Sequence, residues 1–142
     1  MSDQTTRKRP LKVIKTDAEW REQLTEIQYQ ITRQHGTERA FSSPDFNSHL
    51  QGKYLCVCCE QPLYSSKAKY DSGSGWPSFF EPINDDVIAL FEDHSYDMHR
   101  TEIRCADCDA HLGHRFPDGP QPTGLRHCIN GNALIFVEDI AS

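Results

Sequence analysis

An apolar stripe at helical spacing predicts one amphipathic helix in the N-terminal third of the chain. Thr16 can cap the start of this helix and form a capping box with Glu19. His35-Gly36 would end it, because glycine adopts the left-handed conformation without a steric penalty. We expect the helix to dock on the body of the protein through the stripe, which comprises Trp20, Leu24, Ile27 and Ile31.

Beyond Gly36, glycine and proline residues divide the chain into short segments, and several of these are β-prone. No gap between neighbouring β-prone runs has room for a crossover helix, which favours antiparallel pairing. We therefore expect a mainly β protein with helix confined to the N-terminal third. The predicted strands are 53–57, 87–91, 101–105, 125–130 and 133–137.

The chain length suits one domain that buries its own core. It has 142 residues, of which 37% are hydrophobic and 25% charged, the composition of an ordinary soluble domain. Residues 1–15 are polar, basic and interrupted by Pro10. We expect a flexible N-terminal arm over 1–15 and a single domain over 16–142.

Charge and hydropathy argue against nucleic acid or membrane as the main partner. The net charge of −6 opposes binding to phosphate backbones and anionic surfaces. No apolar run exceeds five residues, and the first fifteen residues lack the apolar region of a secretory signal. We expect a cytoplasmic monomer that binds neither nucleic acid nor membrane.

Four of the six cysteines form two C-x-x-C pairs, Cys56/Cys59 and Cys105/Cys108. Four thiolates in a tetrahedron are typical of structural zinc, and a closed shell leaves no position for water. In a chain without a secretory signal, this spacing favours zinc over a disulfide framework. We expect one structural zinc ion that clips two strands together. Two redox C-x-x-C motifs or incidental thiols are the alternative.

Cys58 adds a second possible ligand pairing, because a shift of one residue would make Cys56 and Cys58 a C-x-C pair. The usual loop geometry favours Cys56 and Cys59. Cys58 is then a bystander or a second redox thiol.

Cys128 has no zinc partner and lies in the predicted strand 125–130. Strand alternation places Arg126, Cys128 and Asn130 on one face, and Leu125, His127 and Ile129 on the other. A guanidinium next to a thiol favours the thiolate, which is the nucleophilic form. A buried structural cysteine is the alternative.

Two further segments favour a catalytic role for this region. His111 and His114 follow the second C-x-x-C pair, so a bound metal would fix their loop and make them candidate proton donors. Two glycines precede Trp76 in a tight turn, and the indole could receive an apolar substrate group. Ordinary surface histidines and a core tryptophan that anchors a loop are the alternatives.

These motifs occur in a recognisable order. RQHGTE at 33–38, YDSGSGWPSF at 70–79, HLGHRFPDGP at 111–120 and RHCIN at 126–130 accompany the two C-x-x-C pairs. With them, the chain from about residue 17 to 138 resembles the methionine-R-sulfoxide reductases of the B family (MsrB).

The resemblance implies two antiparallel sheets in a β-tent, with an N-terminal helix and a structural zinc clip. It also implies reduction of the R epimer of methionine sulfoxide, peptide-bound or free, through a Cys128 sulfenic acid. Trp76 would receive the substrate methyl, and Arg126 would contribute to substrate binding. Cys56, Cys59, Cys105 and Cys108 would hold the zinc; Cys128, His111, His114 and Asn130 would act in catalysis.

Ser74 departs from the family pattern. Many members have a cysteine at this position, which resolves the sulfenic acid as a disulfide, and serine cannot form that bond. Either Cys58 replaces it, or an external thiol such as glutathione, thioredoxin or glutaredoxin attacks the sulfenic acid directly. The restraint that zinc would impose on the Cys58 loop favours the external thiol.

Two binding functions compete with the enzyme. A zinc-ribbon module that binds a partner protein would use the same C-x-x-C pairs without Cys128, the two histidines and Trp76. A nucleic-acid zinc ribbon would use the basic arm, and the net charge of −6 opposes it. The basic residues of the arm are Arg7, Lys8, Arg9, Lys12 and Lys15.

Overall fold

The computed structural model describes residues 11–39, 50–93 and 100–138. In these ranges two short helices precede two antiparallel sheets, one of three strands and one of six. The expected mainly β fold with two antiparallel sheets is confirmed. The helices are α1 (Asp17–Gln23) and α2 (Glu26–Arg33); the strands are β1 (Gly52–Cys56), β2 (Pro62–Ser65), β3 (Lys69–Tyr70), β4 (Ser78–Phe79), β5 (Ile88–Asp93), β6 (Arg100–Cys105), β7 (His111–Phe116), β8 (Arg126–Ile129) and β9 (Leu134–Glu138).

The N-terminal helical region differs from the single predicted helix. The capping box of Thr16 and Glu19 is confirmed, but α1 ends at Gln23 and Thr25 caps α2 with a second capping box to Gln28. Because α2 begins anew after Thr25, Ile27 no longer lies on the same face as Trp20, Leu24 and Ile31. Ile27 is 44% exposed, whereas these other three residues of the apolar stripe are buried. The prediction of one continuous helix was therefore wrong.

The end of α2 was also assigned to the wrong residue. His35, rather than Gly36, adopts the left-handed backbone conformation, with φ of 56°. Gly36 instead approaches the carbonyl oxygen of Gln30, where an added Cβ would lie 2.9 Å away. Close packing against the helix end accounts for the glycine.

All five predicted strands are present, with ends shifted by one or two residues at most. Four further strands were not predicted: β2, β3, β4 and β7. Strand β7 contains His111 and His114, so these histidines lie on a strand of the large sheet and not on a loop. It lacks a period-two pattern because Gly113 lies in its middle, where an added Cβ would come 2.0 Å from the Cys128 carbonyl oxygen.

Aromatic side chains fill the space between the two sheets. Phe79 of β4 stacks on Tyr64 of β2 with ring centroids 4.4 Å apart, and packs edge-on against Tyr54 of β1 at 5.2 Å. His127 of β8 also contacts Tyr64, whose Oη lies 2.9 Å from His127 Nδ1. The face of the large sheet that carries Phe79 and His127 therefore packs on the small sheet.

The chain before α1 is attached to the second C-x-x-C turn. The N–H groups of Lys12 and Val13 both donate to the Asp107 carbonyl, at 2.9 Å. Residues 1–10, which include most of the expected arm and its Arg7, Lys8 and Arg9, lie outside the described ranges. The described part contains no helix long and apolar enough to cross a membrane.

Candidate active site and metal centre

The large sheet aligns Cys128 with polar residues from neighbouring strands. Its strand order is β3-β4-β8-β7-β6-β5. Ser78 of β4 and His114 of β7 pair directly with Cys128 from its two sides, and Glu102 of β6 pairs with His114. Directly paired residues project from the same face of a sheet. This row therefore lies on the face opposite Phe79 and His127, as strand alternation around Cys128 predicts.

A cavity of about 290 Å³ opens over this row. It brings together all the expected catalytic and substrate-binding residues other than His111, namely Cys128, His114, Asn130, Trp76 and Arg126. Phe116 adds a second aromatic wall to the one that Trp76 provides. The cavity combines an apolar end with a thiol, an imidazole and an amide.

The glycine-rich loop before β4 carries Trp76 into the cavity. Gly73 and Gly75 have φ of 77° and 89°, values that favour glycine, and they allow the tight turn that the sequence predicted. The indole Nε1 donates to the Glu38 carbonyl at 2.9 Å, which fixes the plane of the ring. The segment after α2 thus holds the Trp76 side chain in place through this hydrogen bond.

Three serine hydroxyls form a chain beneath this loop. Ser72 Oγ lies 2.8 Å from Ser74 Oγ and 2.7 Å from Ser78 Oγ. Ser78 is buried and pairs with Cys128, and Ser74 lines the cavity. The hydroxyl of Ser74 therefore occupies a polar position next to the thiol.

The environment of Cys128 stabilises the thiol more than the thiolate. Burial raises the pKa of Cys128, and the smaller opposing effects of Arg126 and the Ser74 hydroxyl do not restore it. Arg126 is already paired with Asp118, with nitrogen–oxygen distances of 2.9 and 3.3 Å. Arg126 does favour the thiolate, as expected, but burial has the larger effect on the pKa of Cys128 and the guanidinium has its own counter-ion.

His114 is a neutral base near Cys128. Its Nε2 lies 2.8 Å from Asp93 Oδ2, and Arg100 contacts the same carboxylate oxygen at 3.1 Å. Burial lowers the pKa of His114 and outweighs the hydrogen bond to Asp93. Asp93 holds the proton on Nε2, so Nδ1 can accept a proton and donate it when charged.

His111 lies in an adjoining cavity of about 510 Å³, which shares Thr37, Arg100 and His114 with the first. Its Nδ1 is 2.7 Å from Glu102 Oε2, an oxygen that also lies 2.8 Å from Nδ1 of His35. Burial raises the pKa of Glu102, but the hydrogen bonds from His111, His35 and Arg104 together hold it well below its usual range. Glu102 is therefore ionised and orients His111.

Hydrogen bonds of the predicted residue Asn130 and of Glu38, which the sequence did not single out, hold the site together. Asn130 is buried; its Nδ2 donates to the Leu112 carbonyl at 3.0 Å, and its Oδ1 accepts the Glu38 N–H at 3.0 Å. The Glu38 carboxylate accepts both the backbone and the side-chain N–H of Asn132, at 2.8 and 2.9 Å. Glu38 lies within the RQHGTE motif, which was the available signal; Glu102 and Asp93 required strand pairing to be found.

The four predicted zinc ligands come together at the junction of the two sheets. The Sγ atoms of Cys56, Cys59, Cys105 and Cys108 all lie within 4.8 Å of one another. Two of the separations are 3.6 Å (Cys56–Cys108) and 3.5 Å (Cys59–Cys105). Tetrahedral zinc–sulfur bonds place sulfur atoms roughly 3.8 Å apart, so these residues fit the ion.

Both C-x-x-C turns have the same backbone form. In the first turn the Glu60 N–H donates to the Cys56 carbonyl, and in the second the Asp109 N–H donates to the Cys105 carbonyl. Both Glu60 and Asp109 have positive φ. Arg33 and Gln61 reach the sulfur atoms of Cys108 and Cys105, at 3.8 and 3.3 Å. Such donors support a set of charged thiolates.

Cys58 is not one of the four clustered ligands, although its thiol interacts with the Cys56 and Cys108 sulfur atoms beside it. It is only 4% exposed, lies outside the group of four sulfur atoms and does not line the Cys128 cavity. Its carbonyl accepts a hydrogen bond from Gln23 of α1 at 2.7 Å. Pairing of Cys56 with Cys59, rather than with Cys58, is thus the arrangement that the structure contains.

Comparison with known proteins agrees with this geometry. Residues 24–138 match the SelR domain. A protein of Agrobacterium fabrum named peptide methionine sulfoxide reductase MsrB is 54% identical over 136 residues, covering 96% of this chain and 98% of that protein. Acinetobacter baumannii proteins of the same name are 58% identical over 123 residues, covering 87% of this chain and 88% of theirs. The chain therefore belongs to the SelR family, the family of the MsrB peptide methionine sulfoxide reductases.

Proposed function

We propose that this chain reduces the R epimer of methionine sulfoxide, in peptides or as the free amino acid, with Cys128 as the nucleophile. The observation that carries the proposal is the pairing of Cys128 with His114 beneath a cavity walled by Trp76. This arrangement places a thiol, a proton carrier and an apolar wall around one small space. Family membership supports the same reaction class.

The first step transfers one proton and two electrons to the sulfoxide. The Cys128 thiol gives its proton to His114 Nδ1, and the resulting thiolate attacks the sulfoxide sulfur. The imidazolium protonates the sulfoxide oxygen, whose bond to the substrate sulfur then breaks. The hydroxyl transfers from the substrate sulfur to Cys128 Sγ as the bond between the two sulfur atoms breaks, which leaves a Cys128 sulfenic acid and releases the thioether methionine.

The raised pKa of Cys128 and the lowered pKa of His114 suit this order of events. Both groups are neutral at rest, so an ion pair forms only when a substrate stabilises it. His111, oriented by Glu102, is the second proton donor of the expected mechanism and would act from the adjoining cavity.

The walls of the cavity would select one epimer. The methyl group of the sulfoxide fits against Trp76 and Phe116, while the oxygen needs donors such as Asn130 Nδ2 or a charged imidazole. Arg126 lies at the same cavity and would contact the peptide. Because sulfur, oxygen and methyl are fixed relative to one another, the opposite epimer would place its oxygen against an aromatic ring.

Regeneration of Cys128 needs two thiols. The first condenses with the sulfenic acid, releases water and leaves a mixed disulfide; the second displaces Cys128 and restores its thiol. Ser74 cannot serve, and Cys58 is buried away from the cavity. External thiols of the thioredoxin, glutaredoxin or glutathione type would therefore act as the reductant, in the cytoplasm that the sequence predicts.

Zinc would bind to Cys56, Cys59, Cys105 and Cys108, with a closed shell of four thiolates and a purely structural role. These residues end β1 of the small sheet and β6 of the large one, or follow shortly after. Cross-linking the two sheets there would keep β6 and β7, and hence Glu102, His111 and His114, in register.

The test is reduction of the separated R and S epimers of a blocked methionine sulfoxide, with a chemical dithiol as reductant. We expect consumption of the R epimer alone, and loss of activity in Cys128→Ser with zinc content and fold retained. Cys58→Ser is the matched control and should remain active. If folded, zinc-loaded protein consumes neither epimer, the non-catalytic zinc-ribbon module becomes the better account.

A further inference from the structure

A second group of metal-type ligands lies outside the four-cysteine cluster. His35, Glu102 and His111 each bring one nitrogen or oxygen atom to a common point, with all three atoms within 4.8 Å of one another. Glu102 Oε2 lies between the two imidazoles, 2.8 Å from Nδ1 of His35 and 2.7 Å from Nδ1 of His111. The group faces the adjoining cavity of about 510 Å³.

We propose that His35, Glu102 and His111 form a second metal site, which binds a divalent first-row transition ion such as Zn²⁺ or Co²⁺. Two imidazoles and one carboxylate are a donor set that such ions use, with further positions left for water. Ligand atoms about 2.1 Å from an ion stand roughly 3.4 Å apart in a tetrahedron. The carboxylate oxygen would have to move away from each nitrogen by about 0.6–0.7 Å to admit the ion.

The backbone and its neighbours hold two of the three ligands in advance. His35 has φ of 56°, a conformation that residues other than glycine rarely adopt and that turns the chain after α2. Arg104 donates to the other oxygen of Glu102, Oε1, at 3.0 Å and leaves Oε2 for the nitrogen atoms. An outer partner of this kind orients a ligating carboxylate.

The other imidazole nitrogen of His111 can hold the proton that Nδ1 must release before it binds an ion. His111 is only 2% exposed, yet its Nε2 has no hydrogen-bond partner among the described residues. His35, with half of its side chain exposed, gives the ion an entry path that two buried ligands alone would not provide.

The test uses the full chain with zinc already bound to its cysteines, titrated with Co²⁺. We expect one Co²⁺ per chain, with the weak visible bands of nitrogen and oxygen ligation and without the strong near-ultraviolet absorption of cobalt–thiolate bonds. His35→Asn should weaken binding at least tenfold while preserving the fold, because asparagine tolerates the left-handed conformation. The exposed neighbour supplies the control, since Gln34→Asn should bind as the parent does.

Three results would overturn the site: no cobalt binding beyond the zinc already present, thiolate absorption showing replacement of that zinc, or equal affinity in His35→Asn. The consequence for activity rests on the proposed function. Cobalt on His111 should slow the single-turnover release of methionine, measured without a chelating dithiol, in the parent but not in His35→Asn. Binding with unchanged turnover would remove His111 from the proposed reaction and leave the metal site intact.

Discussion

The backbone N–H of Glu38 donates to Oδ1 of Asn130 across 92 positions of the chain, at 3.0 Å. The carbonyl of the same residue accepts the indole N–H of Trp76 at 2.9 Å. One peptide segment after α2 thus fixes both the amide and the aromatic wall of the cavity. Its own position depends on the buried Glu38 carboxylate, which accepts two hydrogen bonds from Asn132.

Glu38→Ala should lower the free energy of unfolding by roughly 1–3 kcal/mol, because two donors of Asn132 lose their acceptor. Glu38→Gln keeps an acceptor oxygen at the same place and should lose less. The urea midpoint at constant m-value measures both. Equal losses in the two variants would show that charge, and not the acceptor geometry, holds this segment.

The rate of Cys128 alkylation should depend on pH, and Arg126 and Asp118 should shift the midpoint of this dependence in opposite directions. The raised pKa of Cys128 makes the thiol dominant at neutral pH, so the rate should rise as the pH increases. Arg126→Gln removes a favourable charge and should move the midpoint to higher pH. Asp118→Asn frees the guanidinium from its counter-ion and should move it to lower pH. Iodoacetamide labelling followed by mass spectrometry of the Cys128 peptide gives both midpoints, and shifts of the same sign would contradict this account.

Acid should destabilise the fold through His127. Burial and the nearby Arg115 lower its pKa from 6.5 to about 4. Between these values the unfolded chain binds a proton that the folded protein does not, so stability falls as the pH drops from 6.5 to 4. Each pKa unit corresponds to about 1.4 kcal/mol, so the free energy of unfolding should fall by about 3 kcal/mol over this range. Urea unfolding at a series of pH values measures it.

His127→Gln should flatten this part of the stability profile, although His114 adds a smaller slope of the same sign. Arg115→Gln should reduce the slope without abolishing it, because burial remains. An unchanged slope in His127→Gln would assign the acid sensitivity to other groups.

Regeneration should not proceed through Cys58. One turnover without reductant, followed by non-reducing mass spectrometry, should show a Cys128 sulfenic acid and no Cys58–Cys128 disulfide. Cys58→Ser should support the same multiple-turnover rate with an external thiol as the parent does. A crosslink, or a rate loss in Cys58→Ser, would mean that the first C-x-x-C turn opens during the cycle.

Removal of zinc should unfold the region where the sheets meet. Binding of structural zinc in small domains contributes about 10–16 kcal/mol of apparent free energy, so a chelator or Cys105→Ser should lower stability by several kcal/mol. The parent and Cys58→Ser should each contain one zinc ion per chain by metal analysis. Full stability after chelation would indicate that the aromatic core alone joins the sheets.

Local sequence patterns predicted those elements that depend on local signals. The capping box at Thr16, the five β-prone runs and the C-x-x-C turns each act over a few residues, and all are present. The break between α1 and α2 was also signalled locally, because Thr25 and Gln28 repeat the capping-box spacing. The longer apolar stripe concealed it.

Local sequence patterns could not predict which residues pair across the large sheet. His111 and His114 differ in surroundings, one bound to Glu102 and the other to Asp93, because a register shift between Ile103 and Arg104 changes how β6 meets β7. The pKa of Cys128 likewise depends mainly on burial. Burial cannot be read from the arginine two positions earlier in the sequence. Glu102 became visible only with these contacts, whereas Glu38 lies in the RQHGTE motif and only its role needed the structure.

The pairing of Cys128 with Ser78 and His114 means that the chain must preserve the length of its strands as well as the identity of its site residues. Side chains alternate between the two faces of a sheet, so one residue inserted into β8 would turn Cys128 toward the aromatic core and bring His127 to the cavity. Such an insertion would keep every catalytic residue in the sequence and abolish the site. Variation in length among relatives should therefore be confined to the connections between strands, and a circularly permuted or loop-extended variant should retain its chemistry where a β8 insertion does not.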